Sequence, residues 1–143
     1  MIEIRIALPD DAEALARLNR KGMGYDFPVE KTKENLIEAL KKDYEVIFVA
    51  ICEEKIVGYA HACDYCLLFA DKYANLLGIS VDEAFTRKGV GSKLMHAVEY
   101  WAKSRNACGV RLVSGESRVG AHEFYEKCGY TTTKKQKNFK KIF

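Results

Sequence analysis

The residues Asn75 to Leu94, Asn-Leu-Leu-Gly-Ile-Ser-Val-Asp-Glu-Ala-Phe-Thr-Arg-Lys-Gly-Val-Gly-Ser-Lys-Leu, lead from an apolar strand through a glycine turn directly into a helix. Leu76, Leu77, Ile79 and Val81 are dense enough in apolar and β-branched side chains to predict a strand covered on both faces. Asp82 to Lys88 is polar, Gly89 and Gly91 free the backbone, and a helical pattern begins at Val90. Consecutive main-chain N–H groups at a glycine-rich helix start form a concave anion site, and the helix dipole adds about 0.3–1 kcal/mol for an anion there. The turn therefore reads as a phosphate cradle built from Gly89, Val90, Gly91 and Ser92 and flanked by the cations Arg87 and Lys88.

Two familiar phosphate loops do not fit. The Walker pattern requires a glycine five residues before Gly-Lys-Ser/Thr, whereas the order here is Gly91-Ser92-Lys93 with Thr86 upstream. In the dinucleotide fingerprint the third glycine would fall at Leu94.

The chain of 143 residues suits one domain spanning 1–143. Its longest apolar run, Val46 to Cys52, is far below the roughly 20 residues needed to cross a bilayer, and the N-terminus carries no secretory signal pattern. A cytoplasmic protein with no membrane partner is expected. Five cysteines, an odd number, favour reduced thiols over a disulfide framework. A net charge of +3 does not call for nucleic acid, although Lys134, Lys135, Lys137, Lys140 and Lys141 make the tail locally basic.

In chain order, Ile2, Ile4, Ile6 and Leu8 alternate as a half-buried strand ended by Pro9. Asp10, with Glu13 three residues on, predicts a capped helix whose buried stripe is Ala12, Leu15 and Leu18, ending by Gly22 or Gly24. A second helix is predicted from about Glu30 to Lys42, burying Leu36, Ile37 and Leu40. Glu45 to Cys52 and Lys55 to Cys66 read as a hairpin turning at Glu53-Glu54, and Leu67 to Tyr73 as a loop. Val90, Leu94, Ala97, Val98, Trp101 and Ala102 predict a helix, and Gly109 to Ser114 a strand parallel to the central one. A last helix from about Ser117 to Cys128 stops at Gly129, and Tyr130 to Thr133 and Asn138 to Phe143 read as closing strands.

Thr86-Arg87-Lys88-Gly89-Val90-Gly91 resembles the acyl-CoA pyrophosphate loop, Gln/Arg-x-x-Gly-x-Gly/Ala, of the GNAT superfamily of N-acetyltransferases, with Thr86 in the place of Gln or Arg. One strand later, Ala121-His-Glu-Phe-Tyr-Glu-Lys-Cys-Gly-Tyr130 is similar to the Ala-x-x-Phe-Tyr-x-x-x-Gly-Phe/Tyr helix of the same superfamily, with Arg118 where many members have Asn. The resemblance implies an α/β fold: a central mixed, mostly antiparallel sheet with one parallel splayed strand pair and helices on both faces. It implies acetyl-CoA as co-substrate, no metal, and a small-molecule or peptide amine as acceptor, with room for a homodimer. Backbone N–H groups of Ile79, Ser80 and Val81 would bind the pantetheine arm and Arg118 would stand beside it. Tyr125 would protonate the leaving thiolate, and Tyr25, Asp26 and Phe27 would wall the acceptor site. A phenol with pKa of about 10 is matched to a departing thiol.

The general base stays open among His61, Asp64, Glu116, His122 and an ordered water. A non-catalytic acyl-CoA sensor on the same fold is the alternative. Cys63-Asp-Tyr-Cys66 invites a zinc or redox reading, but a closed zinc site needs two more ligands at matched spacing, and Cys108 and Cys128 lie far apart without a second pair. Cys52, Cys108 and Cys128 are expected as small core residues.

Overall fold

A computed structural model describes all residues 1–143. The chain divides into two compact parts, residues 1–112 and 113–143. The first holds β1 (Ile2–Ile6), α1 (Ala12–Met23), α2 (Val29–Leu40), β2 (Glu45–Cys52), β3 (Lys55–Leu67), β4 (Ala70–Val81), α3 (Val90–Ser104) and β5 (Val110–Leu112). Short 3-10 turns at Pro9–Asp11 and Glu83–Phe85 lead into α1 and toward α3. The sheet runs β1-β2-β3-β4-β5, antiparallel except for the parallel β4–β5 pair. The second part contains α4 (Val119–Lys127).

Strand alternation sends side chains of β2 to two cores. Ile47 and Val49 join Leu15 and Leu18 of α1, Leu36 and Ala39 of α2, and Tyr59 in one cluster. On the opposite face Gly58, Ala60 and Ala62 form a row of small residues, with both alanines fully buried. A Cβ on Gly58 would stand 3.1 Å from Val90 Cγ1 and 3.2 Å from Leu94 Cδ1, so the missing side chain is what lets α3 lie close to the sheet. Val90, Leu94, Met95, Val98 and Ala102 form the buried stripe of α3.

The β2–β3 hairpin turns at Glu53 and Glu54, both with positive φ (52° and 65°). This is the left-handed pair that a two-residue hairpin loop demands, here without glycine.

Several sequence expectations require correction. Asp10 does not cap α1. Asp11 organises the entry instead: its Oδ2 accepts from Leu8 N at 2.7 Å and its carboxylate takes both Arg5 guanidinium nitrogens at 2.7 and 3.1 Å. The stretch Leu67 to Tyr73 is not a loop; β3 continues through Leu67 and β4 starts at Ala70, because each supplies the other's backbone partners. The last parallel strand is only Val110–Leu112. Tyr130 to Thr133 and Asn138 to Phe143 form no strands, and Phe139, Ile142 and Phe143 are exposed. Alternation makes a strand only where a neighbour accepts its hydrogen bonds, and five lysines repel such pairing. Cys108 is exposed rather than buried.

The Arg5 contact holds the Asp11 carboxyl below its usual range, against burial, with the Leu8 N–H adding to the effect. A depressed carboxyl stabilises the fold above its unfolded pKa of about 3.9 and loses that contribution as pH falls through the folded value. Asp11→Asn should therefore cost about 1–3 kcal/mol near neutrality. Urea unfolding between pH 5 and pH 3 should show a flatter pH dependence in the variant.

Candidate functional site

Strand β4 changes character halfway along. It pairs with β5 only at Ala74↔Val110, Asn75↔Arg111 and Leu76↔Leu112. On its other side it pairs with β3, but the register skips one residue: His61 faces Gly78 and Ala62 faces Leu76, so Leu77 is an extra residue. A bulge of this kind re-aims side chains and bends the strand. Leu77, expected to be buried, is therefore 53% exposed, while Leu76 remains at 5%. Beyond the bulge Gly78, Ile79, Ser80 and Val81 pair with β3 alone, so one edge of this backbone is open to a ligand.

The strand then runs straight into the glycine turn. Asp82 N donates to Val57 O at 2.7 Å and Asp82 Oδ1 caps the 3-10 turn through Ala84 N at 3.0 Å. Thr86 Oγ1 donates to Glu83 O at 3.0 Å, so its hydroxyl is already spent inside the turn. Arg87 and Gly89 both take left-handed backbone, φ 62° and 84°, and Gly89 is the N-cap of α3. No atom lies within 4 Å of a Cβ placed on Gly89. The cradle is thus open in front of the first turn of a 15-residue helix whose opening turn has no acidic residue. Lys88 Nζ stands 5.2 Å over the Phe85 ring, and Arg87 and Lys88 are exposed.

The α1 side of the sheet meets the same bulge. Gly22 brings α1 close to β4: a Cβ there would lie 2.6 Å from Ser80 Oγ, which donates to Leu18 O at 3.1 Å. The Ser80 side chain is thereby committed to holding α1, and only its backbone is left for a ligand. Tyr59 donates its hydroxyl to Asn19 Oδ1 at 2.5 Å, and the Tyr59 hydroxyl oxygen is 3.4 Å from a Cβ built on Gly78. A phenol thus leans over the bulge in the space that glycine leaves. Burial raises the Tyr59 pKa, the Asn19 hydrogen bond opposes this, and Tyr25 adds to the rise. Tyr25 is therefore within electrostatic reach of Tyr59, whereas Asp26 and Phe27 are exposed in the loop that follows the left-handed cap Gly24.

Beside Tyr59 on the same strand face is His61, whose Nε2 stands 2.7 Å from Glu45 Oε1. Glu45 Oε2 also receives Lys42 Nζ at 3.3 Å. Burial pushes the Glu45 carboxyl up, but its two cationic or donor neighbours outweigh that and leave it below the usual value. Asp64, another candidate base, is bound to Arg105 by two bonds of 2.7 and 2.6 Å. The Cys63 thiol is raised, by burial first and then by Glu45 and Asp64, and Cys66 is exposed. No group of three or more His, Cys, Asp or Glu gathers where a metal ion could be held.

In the second part, α4 presents Tyr125, whose ring centroid is 5.4 Å from Phe124 and 6.3 Å from Tyr130. Burial raises the Tyr125 phenol, the Arg118 cation opposes it, and Cys128 adds to the rise. Arg118 immediately precedes α4. Ser114 Oγ is buried with no hydrogen-bond partner in the protein. Glu116 pairs with Lys135 at 3.0 Å on the surface, and His122 Nε2 lies 2.9 Å from Gly115 O.

Tyr59, Asn19 and Glu45 are not legible as site residues in the sequence. Tyr59 and Glu45 sit in or beside apolar runs that read as core strands, and Asn19 carries no local signal. The pairing of β2 with β3 brings Glu45 to His61, and the packing of α1 on the sheet brings Asn19 to Tyr59.

The family model described as Acetyltransferase (GNAT) family matches residues 12–130. Streptothricin acetyltransferase A of Bacillus subtilis (strain 168) is 36% identical over 55 residues, 38% of this chain and 32% of that protein. An uncharacterized N-acetyltransferase of Methanocaldococcus jannaschii is 33% identical over 95 residues, 64% of this chain and 41% of that protein. The chain thus spans less than half the length of either relative. The structure of AAC(6')-Iy in complex with the bisubstrate analogue CoA-S-monomethyl-acetylneamine matches with TM-score 0.87 and 19% identity, covering 100% of this chain and 99% of that one.

Because nothing crowds a Cβ at Gly89, Gly89→Ala should cost only the left-handed backbone penalty, about 1–2 kcal/mol. Denaturant unfolding of that variant measures it. A much larger loss would mean that the turn is packed rather than open.

Proposed function

Since the chain belongs to the GNAT acetyltransferase family, we propose that it moves the acetyl group of acetyl-CoA to a primary amine by direct attack in a ternary complex. The family match crosses both compact parts, which supports their working as one domain, and a cytoplasmic location goes with this reading. No helix is long and apolar enough to cross a membrane. The observation that carries the proposal is the course of β4. It parts from β5 at Leu76 and passes, with an open edge, straight into the cradle at Gly89 and Gly91.

Each segment has a task suited to its chemistry. Main-chain N–H groups from Gly89 to Ser92, the α3 dipole, and the Arg87 and Lys88 cations receive the pyrophosphate. The open backbone from Ile79 to Val81 supplies amide partners for the pantetheine arm and donors toward the thioester oxygen. By the family resemblance, the Arg118 guanidinium is assigned to the pantetheine arm. Tyr125, in the resembling helix motif, donates a proton to the departing thiolate. Tyr25, with Asp26 and Phe27, borders the acceptor. A small-molecule amine is the first acceptor class to test, because AAC(6')-Iy, similar in fold, is described with an analogue joining CoA to an acetylneamine.

The test is thiol release from acetyl-CoA across a panel of polyamines, aminoglycosides, amino acids and peptides. Gly91→Asp should abolish both acetyl-CoA binding and thiol release in a folded protein, because it puts a negative side chain into the cradle. Binding of acetyl-CoA without thiol release for any amine would replace the enzyme with a non-catalytic acyl-CoA-binding module.

For Tyr125→Phe, kcat should fall by about 10²–10⁴-fold with acetyl-CoA affinity retained. The phenol is raised, so it keeps its proton through neutrality and loses it only above pH of about 10. The wild-type rate should fall in that range, and the variant should lack this limb. A wild-type kcat in the variant, measured where chemistry is rate-limiting, would return Tyr125 to a packing role.

A further inference from the structure

We propose that His61, oriented by Glu45, is the general base that takes a proton from the acceptor amine; the inference rests on the acetyl-transfer reading above. His61 is the direct cross-strand partner of Gly78, one residue past the Leu77 bulge. It lies on the strand face where the Tyr59 hydroxyl leans over the same glycine. It therefore borders the length of β4 that lacks a β5 partner, where the reacting carbonyl would be held.

The pairing also sets the tautomer. Glu45 is held ionised, so it accepts a hydrogen bond, and Nε2 at 2.7 Å must carry the hydrogen. The lone pair is then on Nδ1, the nitrogen that does not face Glu45. A carboxylate that fixes the imidazole in one tautomer and stabilises the imidazolium formed on proton transfer is the arrangement that acyl-transfer enzymes use for a base. His61 and Glu45 side chains are 26% and 12% exposed, so the ring is reachable while its partner is sheltered. The titratable or charged neighbours are Glu45 on β2, Lys42 after α2, and Tyr59 and Cys63 on β3; Gly78 opposite contributes none. Of the other candidates, Asp64 is held by Arg105 in two bonds, Glu116 pairs with Lys135 at the surface, and His122 Nε2 faces the Gly115 carbonyl rather than a carboxylate that would orient the ring.

An aliphatic primary amine, with a pKa near that of lysine at about 10.4, arrives as an ammonium ion at neutral pH. Its nitrogen gives one proton to Nδ1, directly or through one water, and the freed lone pair attacks the thioester carbon. The C–N bond forms and the C–S bond breaks. The sulfur takes a proton from its donor, which the second nitrogen proton then restores. The products are amide, thiol and one proton released from His61 to solvent.

The test compares His61→Gln and Glu45→Gln with the wild type in single-turnover acetyl transfer, with acetyl-CoA affinity and melting temperature measured alongside. His61→Gln should lose about 10²–10⁴-fold in rate and lose the acid limb of its pH profile, with acetyl-CoA affinity unchanged. Glu45→Gln keeps the side-chain shape but offers an N–H toward Nε2. That moves the ring hydrogen to Nδ1, so a loss in the same range is expected, and this variant decides the matter if His61→Gln does not fold. Wild-type rates in either folded variant, or a change confined to melting temperature, would make the pair structural and overturn the proposal. So would an acid limb in the wild type that moves with the pKa of whichever amine is supplied. Wild-type protein that releases no thiol with any amine sinks the transfer reading itself, and the base with it.

Discussion

The extra residue at Leu77 is the constraint from which the candidate site follows. Two antiparallel strands with a continuous register would keep β4 flat between its neighbours. Here β4 gains one residue on β3 between His61 and Ala62 and, at the same level, stops pairing with β5. A sheet interior thereby acquires an edge. The unpaired backbone beyond the bulge would be a liability in a purely structural strand, and it is the kind of opening that an amide-bearing ligand can fill.

The bulge is tolerated because both faces of β4 and β3 are buttressed by side chains selected for size. On the α3 face Gly58, Ala60 and Ala62 let Val90 and Leu94 approach the sheet, so the helix start is held against the strands. On the α1 face Gly22 and the Ser80–Leu18 hydrogen bond hold α1 over β4, and the Tyr59–Asn19 bond ties the end of that helix to β3. Each contact replaces a side chain with close backbone approach or a satisfied polar group, which keeps the space beside Gly78 defined rather than collapsed.

Charge follows the same division of labour. The glycine-turn end of the candidate site is cationic and main-chain: Arg87, Lys88 and the start of α3. The end beside the bulge carries the Glu45–His61 pair, with Lys42 on the second carboxylate oxygen. Strong ion pairs elsewhere, Arg5–Asp11 and Arg105–Asp64, have bidentate geometry and serve to anchor turns and helix ends.

What could be read directly from the sequence was whatever depends on local pattern. The order of the long elements follows from periods of two and of three to four residues, and the glycine turn is visible because only a left-handed or crowded backbone requires glycine at Gly89. The Phe124-Tyr125 helix was visible in the same way. Short or terminal segments were not: the strands expected after Gly129 need partners that no local pattern supplies, and Asp10 and Asp11 are equally good caps until Arg5 chooses between them. Exposure of Leu77 and the meeting of Tyr59, Asn19, Glu45 and His61 at the bulge were decided by tertiary structure alone. Strand register and helix docking are long-range quantities. They bring together residues separated by 16 to 40 positions, and no window of the sequence contains both members of such a pair.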